Sequence, residues 1–239
     1  MTILRNVVFV AALAGLVAAI VLTAQQILST VPLIVQAESY EQADATGLGH
    51  AASDAAVGAH EHDPEAWQPA DGFERYFFTA LANLVTAIGF ALILVVASEF
   101  AGGIGGWRQG LLWGLAGFAI FTVAPSLGLP PELPAMPAAE LGGRQVWWWG
   151  TVAATAAGLA LIAFHRSLPM VALALALIVA PHVIGAPQPV DHETLIPKGL
   201  HHQFVVAVTA ANLVFWAVLG VVAGALRPRF LAGSESLGQ

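Results

Sequence analysis

Val7-Val-Phe-Val-Ala-Ala-Leu-Ala-Gly-Leu-Val-Ala-Ala-Ile-Val-Leu22 is an unbroken apolar stretch within a longer charge-free run, Asn6 to Ala37. About 20 apolar residues cross a ~30 Å hydrocarbon core as a helix, so this run is long enough to span a membrane. Further charge-free runs follow at Tyr76–Ser98, Gln109–Pro131, Gln145–Phe164, Ser167–Val190 and Gly199–Leu226. None shows the period-2 alternation of a membrane β-barrel. The reading is an all-α polytopic transmembrane bundle, a single membrane domain over 1–239. Its six spans are expected near 6–35, 76–98, 109–128, 146–164, 168–186 and 203–226. Pro169 and Pro181 bracket the apolar part of the fifth, Met170–Ala180, so the rest of that span must come from Val183–Ala186.

Arg5 followed by an apolar run also describes a secretory signal peptide, with Val35-Gln36-Ala37 as a small-residue cleavage site. Five spans would remain if it were removed. The uncharged segment runs far beyond the usual ~7–15-residue apolar region of such signals, so retention is expected.

Composition agrees with the spans. Of 239 residues 58% are hydrophobic and only 10% charged, with a mean hydropathy of +0.77. A soluble domain carries roughly 25% charged residues to face water. An ordinary cytosolic enzyme, a disordered chain and a nucleic-acid binder are thereby excluded, the last because it needs a basic face. There is no cysteine, hence no disulfide, thiolate metal site or cysteine nucleophile. No catalytic residues and no permanently bound cofactor are expected.

Lys and Arg give the orientation. With both termini inside, the inner segments hold Arg5, Arg108, Arg166, Arg227 and Arg229, and the outer ones Arg75, Arg144 and Lys198. The longest loop, at 36–72, carries its acids from Glu38 to Asp71 with no Lys or Arg, and such a segment translocates readily. An N-in, C-in protein of a bacterial inner (cytoplasmic) membrane is the expectation.

On this topology His50, His60, His62, His182, His192, His201 and His202 fall outside or at the outer membrane edge, and only His165 falls inside. Imidazole and carboxylate groups are ligands for borderline divalent ions such as Co2+, Ni2+ and Zn2+. His60-Glu61-His62-Asp63, with His50 upstream, therefore forms one candidate metal-capturing tract. The alternative is a solvated linker over Gln42–Pro69. His182, His192, His201 and His202 form the second candidate group, near the outer ends of the last two spans. Pro181 lacks a helical N–H, so the fifth span is expected to kink or end there, leaving carbonyls near residues 177–178 without donors. Three imidazoles can converge if the fifth and sixth spans pack as neighbours.

Inside the spans the polar positions include Gln25, Gln26, Asn83, Thr151, Thr155, Thr209 and Asn212. Bonding between helices is their default role. Ala-Asn-Leu-Val occurs at both 82–85 and 211–214, too short an echo to establish a repeat. Gly102-Gly103-Ile104-Gly105-Gly106 reads as a turn, because it lacks the Gly-Lys-Ser/Thr ending of a phosphate loop. Trp147, Trp148 and Trp149 fit an interfacial aromatic belt.

The chain resembles the CbtA family of proposed cobalt transporter subunits. The resemblance rests on Gly110-Leu-Leu-Trp-Gly-Leu-Ala-Gly-Phe118, on Ala124-Pro-Ser-Leu-Gly-Leu-Pro-Pro-Glu-Leu-Pro-Ala-Met-Pro137 and on Arg144-Gln-Val-Trp-Trp148. The His-acid tract before Ala66-Trp67, Ala70-Asp-Gly-Phe-Glu74 and Pro181-His182-x-x-Gly-Ala-Pro187 add to it. It implies a membrane subunit that moves cobalt for cobalamin synthesis beside CbtB, a small single-span subunit with a histidine motif. Co2+ would be the transported ion, with Ni2+ as the alternative. Two rival readings remain: a non-conducting metal-sensing or accessory membrane protein, and a membrane oxidoreductase holding haem between histidines at matching depths. No histidine lies at mid-span to serve the latter.

Overall fold

A computed structural model of the protein describes residues 2–48, 69–70, 72–165, 167–190 and 193–235. Among these every element is helical. They are α1 (Thr2–Leu48), α2 (Phe73–Phe100), α3 (Trp107–Phe118), a π-helical turn (Ala119–Val123), α4 (Ala124–Ser126), α5 (Leu141–Phe164), α6 (Leu168–Ile184) and α7 (Lys198–Glu235). Five helices are long and apolar enough to cross a membrane: α1, α2, the continuous rod Trp107–Ser126, α5 and α7. The expected fifth span is α6, an apolar helix of 17 residues. At 1.5 Å per residue it measures about 26 Å, slightly less than the hydrocarbon thickness.

α1 has 47 residues, about 70 Å at helical rise and more than twice what a bilayer core requires. Its last turns carry Glu38 into the segment expected to be loop. Pro32 sits within it, and the hydroxyls of Ser29 and Thr30 donate to the carbonyls of Gln25 and Gln26 on that stretch.

Small residues set the packing. On α3, Gly110 and Gly114 face Gly220, Gly224 and the Trp216 backbone of α7; a methyl group at Gly110 would strike the Gly220 carbonyl. Spacing glycines four apart on facing helices lets the backbones meet, and in lipid that close contact drives association. α1 uses alanine in the same way: Ala11, Ala14 and Ala18 are fully buried, as are Ala87 and Ala91 of α2. Gly15 lies against the Ile88 backbone. Phe90, Phe121 and Trp216 fill the middle, with Phe121 and Trp216 stacked 5.6 Å apart.

Side-chain bonds pin both ends of this bundle. At one end Asn6 donates to the Phe230 carbonyl at 2.6 Å. Arg227 also grips Glu99 there, with Nε–Oε1 2.6 Å and Nη2–Oε2 2.7 Å. The guanidinium fills the space that a side chain at Gly103 would need, and Gly102 and Gly103 have φ of 88° and 80°, so this turn requires glycine twice over. At the other end Arg75 pairs with Glu38 at 2.8 Å. Close by, Ala37, Leu133, Ile196, Leu200 and Phe204 form a second small core.

α5 and α6 form a separate hairpin. α6 buries only Ala174 and Pro181. Gly158 lets α5 approach the Ala174 carbonyl. Trp147 is buried and its Nε1–H donates to the Pro181 carbonyl at 3.1 Å, so it is a packing residue and not part of an interfacial belt. Glu140 caps α5, its carboxylate accepting from the Gly142 and Gly143 N–H groups.

Candidate functional site

α6 does not end at Pro181 but continues to Ile184. The proline still removes a backbone donor, and the His182 ring settles on the same turn. Its Nδ1 lies 3.1 Å from the Ile178 carbonyl and its Nε2 lies 3.0 Å from the Ala124 carbonyl. Ala124 O has lost part of its helical bonding, because Gly128 N turns to Pro125 O at 3.2 Å as α4 closes. The π-helical turn prepares that arrangement by shifting the register just before Pro125, with Ala124 N bonded to Ala119 O. A neutral imidazole has one donor and one acceptor nitrogen. With a carbonyl at each ring nitrogen, an ion binding to His182 would have to displace one of them.

His201 is likewise engaged, its Nε2 lying 3.0 Å from the Pro131 carbonyl. This bond holds the 127–140 connection across the start of α7. His202, beside it, is exposed. α6 packs on α5, while α7 packs on α1 and α3. Among the described residues no three of His, Asp and Glu come together in a metal-binding arrangement. His50, His60, Glu61, His62, Asp63 and His192 lie outside the described residues.

A cavity of about 570 Å3 with a mixed polar and apolar lining lies instead among α1, α2 and α7. Gln26 and Thr30 come from α1, Thr79 and Asn83 from α2, and Asn212 from α7, with Arg75 at the Glu38 end. Asn83 Nδ2 donates to Gln26 Oε1 at 2.7 Å and Thr23 Oγ1 at 3.0 Å. That pair does fulfil the expected interhelical role. Asn212 does not, because its Nδ2 donates to Val208 O on its own helix at 2.9 Å. One turn further on each helix stand Leu22, Ala87 and Phe215, all apolar and buried. An apolar layer therefore lies next to the polar side chains of the cavity.

Residue spacing could have pointed here. Asn83 lies ten residues into α2, about 15 Å along its axis, and Gln26 twelve residues before Glu38, about 18 Å. The two Ala-Asn-Leu-Val segments thus put asparagines at similar depth on helices that face one cavity.

Among the described residues, Glu140 is the group with a displaced titration. The N–H of Gly143, then that of Gly142, holds its exposed carboxyl below the usual carboxylate range.

No curated protein and no solved structure matches the chain. A family model does, over residues 4–227, under the description "Probable cobalt transporter subunit (CbtA)". That match reaches all five membrane-length helices, and the chain belongs to the probable cobalt transporter subunit family CbtA.

Proposed function

We propose that this multi-pass protein is the membrane subunit of a Co2+ importer serving cobalamin synthesis in a bacterial inner membrane, and that it works with a small single-span CbtB-like subunit. The observation that carries this reading is the family match over residues 4–227. The long acid-bearing helix α1 and the loop after it face outward in this reading. His60 and His62, with Glu61, Asp63 and His50, capture the ion there. The negative loop also raises the local cation concentration. His192 and the exposed His202 add donors at the same face, and His201 can join them by releasing Pro131 O. Both ring nitrogens of His182 face carbonyls, so its part is to hold α6 on α4.

Radioactive Co2+ uptake into proteoliposomes, with and without the small partner, tests the importer. Saturable inward uptake that competing Ni2+ reduces is expected. Binding without uptake in either preparation would make the chain an accessory metal-binding protein. Replacing His50, His60 and His62 together with Ala should raise the half-saturating Co2+ concentration and leave the maximal rate.

A further inference from the structure

We infer that the pocket between the start of α5 and the 127–140 connection is a lipid head-group site, suited to a phospholipid that carries both a phosphate and a primary ammonium. Its volume is about 420 Å3, inside the roughly 300–1,000 Å3 range of small-ligand sites. The connection supplies one wall, from Leu129 to Glu132, and α5 supplies the other with Arg144, Trp148 and Trp149. Both walls are set without a ligand. Consecutive prolines at 130 and 131 lock their φ angles, and the Pro131 carbonyl is tied to His201 Nε2 at 3.0 Å. Across the pocket Trp148 lies beside Phe121 and Trp149, with ring centroids 6.3 and 4.9 Å away.

Two opposite charges stand here, and their pairing is incomplete. Arg144 Nη2 donates to Glu132 Oε2 at 2.9 Å. Among the described residues, Arg144 Nε and Nη1 and Glu132 Oε1 have no protein partner. The two side chains remain 29% and 24% exposed, so ligand atoms can reach them. A guanidinium with free N–H groups binds phosphate oxygens, and a free carboxylate oxygen accepts from an ammonium. The indole faces favour a cation as well. A purely anionic head group would be repelled by Glu132, and a choline has no N–H to give it. Phosphatidylethanolamine carries the phosphate, the positive charge and the N–H donors together. The surroundings favour a lipid over a soluble phosphate ester. Leu141 and Trp149, which also line the pocket, are 63% and 62% exposed; acyl chains would cover them. Tryptophan at the end of a membrane helix lies at head-group level, and α5 begins at Leu141.

The purified chain in detergent should be titrated with phosphatidylethanolamine, phosphatidylcholine and phosphatidylglycerol of identical acyl chains, with bound lipid counted by native mass spectrometry. The ethanolamine lipid should bind about tenfold more tightly than either of the others, the scale of one charged hydrogen bond. Glu132→Gln should erase its advantage over phosphatidylglycerol, whereas Arg144→Gln should weaken all three lipids. Trp149→Ala, at an exposed position that folding does not need, should weaken the ethanolamine lipid too. Glycerophosphoethanolamine, the same head group without chains, should fail to displace the lipid at roughly hundredfold excess, because chain burial adds to binding. Equal binding of the three lipids by the native chain overturns the site, as does a preference for phosphatidylglycerol. An ethanolamine preference unchanged in Glu132→Gln, or in Trp149→Ala if the first variant does not fold, places the lipid elsewhere and also overturns it. Displacement by the soluble head group overturns the assignment to a lipid.

Discussion

The bundle of α1, α2, α3 and α7 and the hairpin of α5 and α6 are held by different means. In the bundle, glycine faces glycine and alanine faces alanine, so backbones meet along whole helices. The hairpin joins the rest through side chains: His182 on Ala124 O, Arg144 on Glu132 at 2.9 Å, Trp148 against Phe121 and Trp147 against Gly128. Lipid gives no hydrophobic drive for helix association, so close packing and hydrogen bonds carry the energy. A region packed by backbone tolerates no added volume. A region held by a few side chains depends on those side chains.

The largest effect should come from adding volume to the bundle. Gly220→Leu places a side chain against the Gly110 carbonyl and the Gly114 backbone, and overpacking of that kind costs about 3 kcal/mol or more. Loss of a monodisperse, folded species in detergent is expected. A normal melting curve would mean that α3 and α7 do not meet as described. Next comes Arg227→Ala, which leaves Glu99 with no guanidinium and the Ile104 carbonyl with one donor fewer. A loss of about 1–3 kcal/mol is expected from removing charged hydrogen bonds, read as a lower melting temperature. Arg227→Lys should recover only part of it, because a point charge cannot form the two-pronged contact.

His182→Ala should act on the hairpin alone. About 1 kcal/mol of hydrogen bonding is lost, and hydrogen exchange should rise in α6 and around Ala124 while α1 and α7 stay protected. A uniform rise across all helices would erase the distinction between the two regions. The smallest effect belongs to Glu140→Ala, which removes the cap of α5. Because the folded carboxyl titrates below its ordinary value, its contribution is full above the unfolded value and disappears as pH falls through the folded one. The variant should therefore differ from the native chain at neutral pH and match it in acid.

Much of this was legible in the sequence. Charge-free runs locate helices because hydrocarbon admits little else, and the family resemblance is confirmed over residues 4–227. Individual side-chain roles were less legible. Trp147 looks like its neighbours Trp148 and Trp149, and only the approach of α6 makes it a buried donor. Pro181 reads as a break, yet α6 continues through it to Ile184, because the proline removes one backbone donor only. The glycines at 110, 114, 220 and 224 recur four apart in the sequence, yet nothing in one chain says which helix meets which. The cavity was hidden for the same reason, since Asn83, Asn212 and Gln26 acquire a common purpose only once α1, α2 and α7 are placed together.

The same added volume placed in the two regions tests the comparison most directly. A side chain at Gly220 of α7 meets the Gly110 carbonyl, whereas one at Gly150 of α5 meets nothing within 4 Å. Melting in detergent, measured side by side, should show Gly220→Leu without a folded species and Gly150→Leu close to the native chain. Equal losses in both variants, or a native melt for Gly220→Leu, would contradict the account.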